Sequence, residues 1–158
     1  MATFAQHARK IATECAGMRV RQVSRVLTRI YDEALRGTGI QSSQLSVLVA
    51  VAMFGEAGAP MGVLADKLVM DRTTLTRNIG PLEEAGYLRV ARSPSDARTR
   101  VVLLTRAGER MLDTAYPRWE EAQRRIKRAL GGERFEGLRA HLSGVVELAE
   151  TLEADAAS

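Results

Sequence analysis

The chain has 158 residues, of which 46% are hydrophobic, and a formal net charge of +4. This length is enough for one domain with a hydrophobic core, and the hydrophobic fraction excludes a disordered chain. The positive net charge favours an acidic partner. The longest apolar run, Leu45 to Phe54, is too short to cross a bilayer and no export signal is recognised, so we expect a cytoplasmic protein without a membrane partner.

Apolar periodicity predicts three helices in the first part of the chain. The first has apolar residues spaced three and four apart, at Val20, Val23, Leu27, Ile30 and Ala34. It should end near Gly37 and Gly39. Ser42 or Ser43 is expected to cap the second helix, and a short third helix should follow Pro60.

A fourth helix is predicted to begin immediately after Asp71, which is a good N-cap residue. Leu75, Ile79 and Leu82 fall on one face at about 100° per residue. The opposite side is polar and carries Thr73 and Arg77, with Thr74 and Thr76 on its shoulders. Gly86 is predicted to be the C′ residue of this helix. Pro81 should bend the helix, because an internal proline removes a backbone donor.

A β-hairpin is predicted after this helix, because "YLRVAR" and "TRVVLLT" surround the turn formers Pro94, Ser95 and Asp96. The segment from 89 to 106 contains five arginines against the single acid Asp96: Arg89, Arg92, Arg98, Arg100 and Arg106. A helix pair followed by a basic hairpin is typical of a winged helix-turn-helix that binds double-stranded DNA.

The residue types suit that function. Threonine hydroxyls can contact phosphates or base edges, the Arg77 fork matches guanine, and Arg98 could enter a narrow minor groove. The predicted DNA-contacting residues are Arg72, Thr73, Thr74, Thr76, Arg77 and Arg98. The alternative is an ordinary solvated helix face beside arginines that protect a strand edge. The succession of capped helix, glycine stop and basic hairpin favours DNA binding.

The stretch from Met70 to Met111 resembles the core of the multiple-antibiotic-resistance regulator (MarR) family of bacterial transcription factors. The resemblance rests on "DRTTLTRNIGPLEEAGY", on the Asp-x-Arg wing motif at Asp96 and Arg98, and on "LTRAG". It implies a homodimeric repressor or activator whose DNA affinity changes when a small molecule binds or a cysteine is oxidised. It also implies that Arg98 contacts the minor groove and that Asp96 orients it.

The rest of the chain predicts two long terminal helices with apolar stripes. One stripe includes Leu112, Tyr116, Trp119, Ile126 and Leu130, with a bend at Pro117, and the other runs from Phe135 to Leu152. We expect a mainly α fold with a small β-hairpin wing, as one domain over 1–158. About 42–106 would form the winged helix-turn-helix, and about 1–36 and 112–154 the N- and C-terminal dimerisation helices. Packing of the terminal helices within one chain is the alternative.

The resemblance also implies an effector site, whose ligand the sequence does not identify. Aromatic or soft residues that could line it are Tyr31, Met53, Phe54, Tyr116 and Trp119. Each of them is equally typical of an ordinary core.

Cys15 is the single cysteine of the chain, so an intramolecular disulfide is excluded. We place it on the flank of the first helix. A peroxide-sensing branch of the family uses a cysteine there, which makes redox sensing through Cys15 an alternative. That branch also has a tyrosine where this chain has Ser42 and Ser43, which favours a structural cysteine.

Catalysis finds no support in the sequence. There is no G-x-S-x-G elbow, Walker lysine loop or H-E-x-x-H motif, and His7 and His141 lie far apart without a metal-ligand companion. We therefore expect no enzyme activity, no cofactor and no metal site. A helical interaction module that does not bind DNA remains a third reading, but it leaves the arginine-rich hairpin without a role.

Overall fold

The computed structural model describes residues 3–93, 96 and 98–156, with side chains through residue 148. The described helices are α1 (Phe4–Glu14), α2 (Ala16–Leu35), α3 (Ser42–Ala52), α4 (Met61–Lys67), α5 (Arg72–Glu84), α6 (Arg106–Leu130) and α7 (Gly132–Ala156). The described strands are β1 (Ala59–Pro60), β2 (Leu88–Arg92) and β3 (Arg100–Leu104). The fold is mainly α with a small antiparallel sheet, which confirms the predicted class.

The chain divides into two compact units, residues 1–119 and residues 120–158. The first unit contains the sheet and a hydrophobic core built from side chains of α2 through α6. Its largest fully buried members include Leu35, Leu48, Leu64, Leu75, Leu82, Leu88 and Val102. Leu64 lies on α4, and Leu75 and Leu82 lie on α5. Because all three are buried in the same core, that core positions both helices of the predicted helix pair.

The second unit consists of the end of α6 and the whole of α7. The Arg124 guanidinium forms two ion pairs along α6, with one nitrogen 2.7 Å from Glu120 Oε2 and the other 2.8 Å from Glu121 Oε2. Lys127 of α6 pairs with Glu136 of α7 at 3.3 Å. These pairs are exposed, and each contributes little to stability.

The sheet has the strand order β1-β3-β2, and both pairings are antiparallel. The predicted hairpin is therefore confirmed as β2 and β3, with Leu88 opposite Leu104. Strand β1 was not predicted. Its two residues, Ala59 and Pro60, read as loop in sequence and become a strand because β3 offers them a free edge.

Two predicted helix boundaries were wrong in detail. Helix α3 begins at Ser42, but its N-cap is Gln41, whose N–H donates to Gln44 Oε1 at 2.8 Å. The Ser42 N–H instead donates to Asp32 Oδ1 of α2 at 2.7 Å. The second is the break at Cys15, which separates α1 from α2 where one continuous helix was expected. Helix α5 continues through Pro81 to Glu84, and the bend at Pro81 stays a prediction.

Candidate nucleic-acid interface

The N-terminus of α5 is fixed by Asp71, as its sequence predicts. One carboxylate oxygen accepts the Thr74 N–H at 2.8 Å and the other accepts the Thr74 hydroxyl, also at 2.8 Å. These hydrogen bonds, the backbone one first, hold the pKa of the Asp71 carboxyl below its ordinary value. The charged cap satisfies two donors at the start of the helix and sets where its first turn begins.

The three threonines of this helix differ in what their hydroxyl groups can offer. The Thr74 hydroxyl proton is used by Asp71, and the Thr76 hydroxyl donates to the Arg72 carbonyl at 2.8 Å. Both oxygens keep only acceptor capacity toward a ligand. Thr73 is exposed, and its hydroxyl makes no hydrogen bond to any described residue, so it keeps a proton for an anionic acceptor.

Exposed side chains at the start of α5 surround one open depression. Arg72, Thr73, Thr76 and Arg77 line an open depression of about 430 Å³ on the first two turns of the helix. Leu75 and Ile79 are buried on the other side of the same turns. The face opposite the core is therefore polar, cationic and accessible, as the spacing predicts.

The end of α5 leads directly into the wing. Gly86 has φ 74°, a conformation in which a Cβ is strained, and the Tyr87 N–H donates to the Leu82 carbonyl at 2.8 Å. The predicted C′ glycine is confirmed. Glu83 Oε1 then accepts the N–H of Val90 on the outer edge of β2 at 3.1 Å. This bond ties the hairpin to the helix and was not foreseen from the sequence.

Asp96 organises the part of the wing tip that is described. Its carboxylate accepts the Arg98 N–H at 2.9 Å and the Thr99 hydroxyl at 2.8 Å. These two bonds, in that order, lower the pKa of Asp96. Asp96 thus holds the main chain of Arg98, whose side chain is exposed. The predicted turn residues Pro94 and Ser95 lie outside the described residues.

The "LTRAG" stretch forms the junction between the wing and α6. The Thr105 hydroxyl donates to the Gly86 carbonyl at 2.6 Å and accepts the Gly108 N–H at 3.1 Å, so Thr105 caps α6. A Cβ on Gly108 would lie 2.3 Å from the Tyr87 carbonyl oxygen. The motif is therefore structural: it fixes both ends of the hairpin to the start of α6.

The turn between α4 and α5 contains a residue in an unusual conformation. Val69 has φ 51°, and the Met70 N–H donates to the Ala65 carbonyl at 2.9 Å. A β-branched residue is rarely found in the left-handed region. The tight closure of α4 imposes this conformation, and no sequence signal marked it.

A cavity of about 820 Å³ lies between α2, α3, α4 and α6 within the first unit. Four of the five predicted effector residues line it: Tyr31, Met53, Tyr116 and Trp119. The Tyr116 and Trp119 rings are 5.9 Å apart, and burial raises the pKa of Tyr31. Phe54 does not line the cavity, and its ring lies 5.9 Å from the ammonium of Lys67.

Comparison with known proteins decides the family. Residues 38–99 match the model described as the MarR family. The transcriptional regulator MosR of M. tuberculosis, whose crystal structure is in complex with DNA, is 31% identical, with a TM-score of 0.76, 88% of this chain covered and 98% of that chain. This chain belongs to the MarR family.

This MarR-family chain is also similar to other proteins. The transcriptional activatory protein BadR of Rhodopseudomonas palustris is 32% identical over 91 residues, which span 57% of this chain and 52% of BadR. The match thus covers about half the length of that curated relative. A mutant MarR of E.coli complexed with operator DNA shares the fold, with a TM-score of 0.76, 21% identity, and 86% and 96% of the two chains covered. These relatives are transcriptional regulators, and none is an enzyme.

Cys15 of this MarR-family chain does not lie on the flank of a helix, so that prediction was wrong. It has an extended backbone conformation, with φ −73° and ψ 107°, between the end of α1 and the start of α2. Its thiol is half-buried and free. The helix is interrupted at this position although Cys15 is neither glycine nor proline, which is why the sequence pattern did not separate α1 from α2.

Within the described part of the chain, no group of three or more histidine, cysteine or acidic side chains is arranged to hold a metal ion. No helix in that part is both long and apolar enough to cross a bilayer.

Proposed function

We propose that this chain is a sequence-specific repressor that binds double-stranded DNA as a homodimer and leaves a pseudo-palindromic operator when a small molecule binds. The observation that carries the proposal is the cationic face of α5 together with a wing that Glu83 and Thr105 fix beside it. The DNA complex of MosR, a relative of similar length, supports the same use of this chain.

Each exposed group on α5 has a role in this proposal. Arg77 reads guanine through its paired donors, while Arg72 and Thr73 contact phosphates at the helix N-terminus, where the helix dipole favours anions. Thr74 and Thr76 accept from the amino groups of bases, because their own protons are used within the helix. Sequence preference should therefore depend on Arg77 more than on any other side chain of this face.

The wing contributes affinity rather than sequence preference. Asp96 fixes the backbone of Arg98, which reduces the number of conformations that the arginine loses on entering a minor groove. Its guanidinium is exposed and free to enter the groove, where the negative potential is strongest when the groove is narrow. Binding should weaken steeply with salt, as each neutralised phosphate releases counterions.

Apolar side chains left exposed on the terminal helices support the dimer. Phe4 is 87% exposed and Ile11 57% exposed on α1, and Val145 and Val146 are exposed on α7. A second copy would remove such surface from water. A two-fold dimer would place two α5 helices at half-sites about 34 Å apart, one turn of DNA.

Binding of a small molecule in the cavity would change the affinity of the protein for DNA. Lys67, the last residue of α4, and Leu68, which follows it, line the cavity, and α4 immediately precedes α5 in the chain. A ligand seated there would contact α4 directly and bias the position of α5. Tyr31, Met53, Tyr116 and Trp119 stay the predicted effector residues. The Phe54 ring lies 5.9 Å from the ammonium of Lys67, which lines the cavity.

Fragments of the source genome bound by the protein provide the duplex for the test. Fluorescence anisotropy would then measure the affinity of the parent protein, Arg77→Ala and Arg98→Ala for this duplex over a range of KCl concentrations. Arg134→Ala, an exposed arginine on α7, is the charge-matched control.

We expect Arg98→Ala to weaken binding to every duplex, with a salt slope shallower by about one, and Arg77→Ala to lose about tenfold of discrimination against a mismatched site. The control should bind like the parent. The site assignment is wrong if all three variants bind alike, and the function is wrong if the parent binds no duplex.

A further inference from the structure

Two arginines face each other across the outer end of the wing. The strand register places Arg92 of β2 directly opposite Arg100 of β3, and both side chains are exposed. Among side chains on a strand pair, those directly opposite are nearest neighbours. Two like charges in this position are destabilising unless something compensates them.

The hydrogen-bond pattern makes this pair a close one. The Thr105 N–H donates to the Tyr87 carbonyl at 3.1 Å, and the Ser93 N–H donates to the Thr99 carbonyl at 2.8 Å. Odd-numbered residues of β2 therefore form the hydrogen-bonded pairs, and Arg92 belongs to a non-hydrogen-bonded pair. In such pairs the side chains approach more closely, with Cα atoms about 4.5 Å apart.

No described acid neutralises the two guanidinium groups. Neither arginine forms a salt bridge with a described carboxylate. Asp96, the one acid in the wing sequence, uses its two oxygens on the Arg98 N–H and the Thr99 hydroxyl. The free protein thus holds two close cations whose shared counter-charge must come from outside this part of the chain.

The pair also lies on the side of the sheet that faces α5. Side chains alternate along a strand, so Arg92 shares its face with Leu88 and Val90, and Arg100 shares its face with Val102. Leu88 and Val102 are buried in one core with Leu75 of α5. Arg92 is four residues beyond Leu88, which puts it about 13 Å further out along the wing.

We propose that Arg92 and Arg100 form a clamp for a single phosphate of the DNA backbone, next to the groove that α5 enters. The proposal rests on the proposed DNA-binding function and adds a site distinct from the Arg98 tip. Two guanidinium forks offer enough donors to engage both non-bridging oxygens of one phosphodiester. The phosphate removes the repulsion between the arginines, so the same contact stabilises the wing.

The strand provides a matched control. Arg89 is also exposed, but its cross-strand partner is Leu103, and its side chain lies on the opposite face of β2. Replacing Arg89 removes the same charge from the same strand without touching the pair. Arg92→Gln, Arg100→Gln and the double variant can therefore be compared with Arg89→Gln.

Two measurements test the clamp. Anisotropy titrations on a bound genomic duplex should show about tenfold weaker binding for either single variant, with a salt slope shallower by about one. The double variant should lose little more than a single one, because a clamp needs both arginines. Without DNA, Arg100→Gln should melt at a higher temperature than the parent in low salt, and this gain should vanish at high salt.

The outcomes separate the clamp from the function. If the parent binds DNA and the Arg92 and Arg100 variants bind and melt like Arg89→Gln, the clamp is wrong and the function stands. If the two losses simply add, or if Arg89→Gln loses as much, the arginines act as independent charges and the clamp is again overturned. If the parent binds no duplex, both proposals fall together.

Discussion

Replacing Gly108 with alanine should damage the junction between the wing and α6. The added Cβ would lie 2.3 Å from the Tyr87 carbonyl oxygen and 2.6 Å from Leu104 Cδ1. The first atom is backbone and cannot move aside by rotating, so the main chain at Tyr87 and the start of α6 must separate. Overpacking of this kind costs about 3 kcal/mol at the upper end of its usual range.

The helix itself works in the other direction, because alanine is favoured over glycine inside a helix by about 1 kcal/mol. The net loss for Gly108→Ala is then about 2 kcal/mol, which lowers Tm by about 4–8 °C in a chain of this size. Differential scanning calorimetry would measure it. Gly62→Ala in α4, where a Cβ would meet nothing within 4 Å, is the control and should not lower Tm. Equal melting of the parent and Gly108→Ala would refute the account of this junction.

Three further predictions concern the cap, the cavity and the cysteine. The folded pKa of Asp71 is depressed, so its stabilisation is present above its ordinary value of 3.8 and is lost as the pH falls below it. Asp71→Ala should thus lower Tm at neutral pH, and the difference from the parent should shrink in acid; a constant difference would contradict this. Trp119 is the single tryptophan of the chain and lines the cavity, so saturable quenching of its fluorescence should measure binding of 1-naphthoate there. Lys67→Met should weaken that binding several-fold, because the ammonium attracts the carboxylate. Cys15→Ser should bind DNA like the parent before and after peroxide treatment; a peroxide response in the parent that this variant lacks would favour redox sensing.

Local signals were sufficient to predict helix α5. The Asp71 cap, the buried stripe of Leu75 and Ile79 and the Gly86 stop each depend on neighbours within one or two turns, which the sequence displays directly. The hairpin could be predicted for the same reason, since its strands are close in sequence. The exposed polar face of α5 followed from the position of the apolar one.

Features that depend on distant partners could not be predicted. Strand β1 exists because β3, about forty residues later, offers it an edge. Gln41 rather than Ser42 is the N-cap of α3, and the Ser42 N–H donates to Asp32 of the preceding helix. The bond from Val90 to Glu83 likewise requires the hairpin to be folded against α5.

The site residues show the same limit. Thr73, Thr74 and Thr76 carry the same hydroxyl group, and only the hydrogen bonds of the folded helix distinguish a free donor from two committed ones. The opposition of Arg92 and Arg100 needs the strand register. Composition indicated a basic wing, but it did not indicate which arginines face one another.

Hydroxyl-radical footprinting on a genomic fragment that binds the protein tests the central claim most directly. The account predicts two protected half-sites centred about 10 base pairs apart, one for each α5 of a dimer, with backbone protection beside each from the wing. The inner protection should weaken in Arg72→Ala, which removes a phosphate contact of α5, and the flanking protection should be lost in Arg98→Ala. A fragment that is bound but shows one short protected patch, or protection unchanged in both variants, would contradict it.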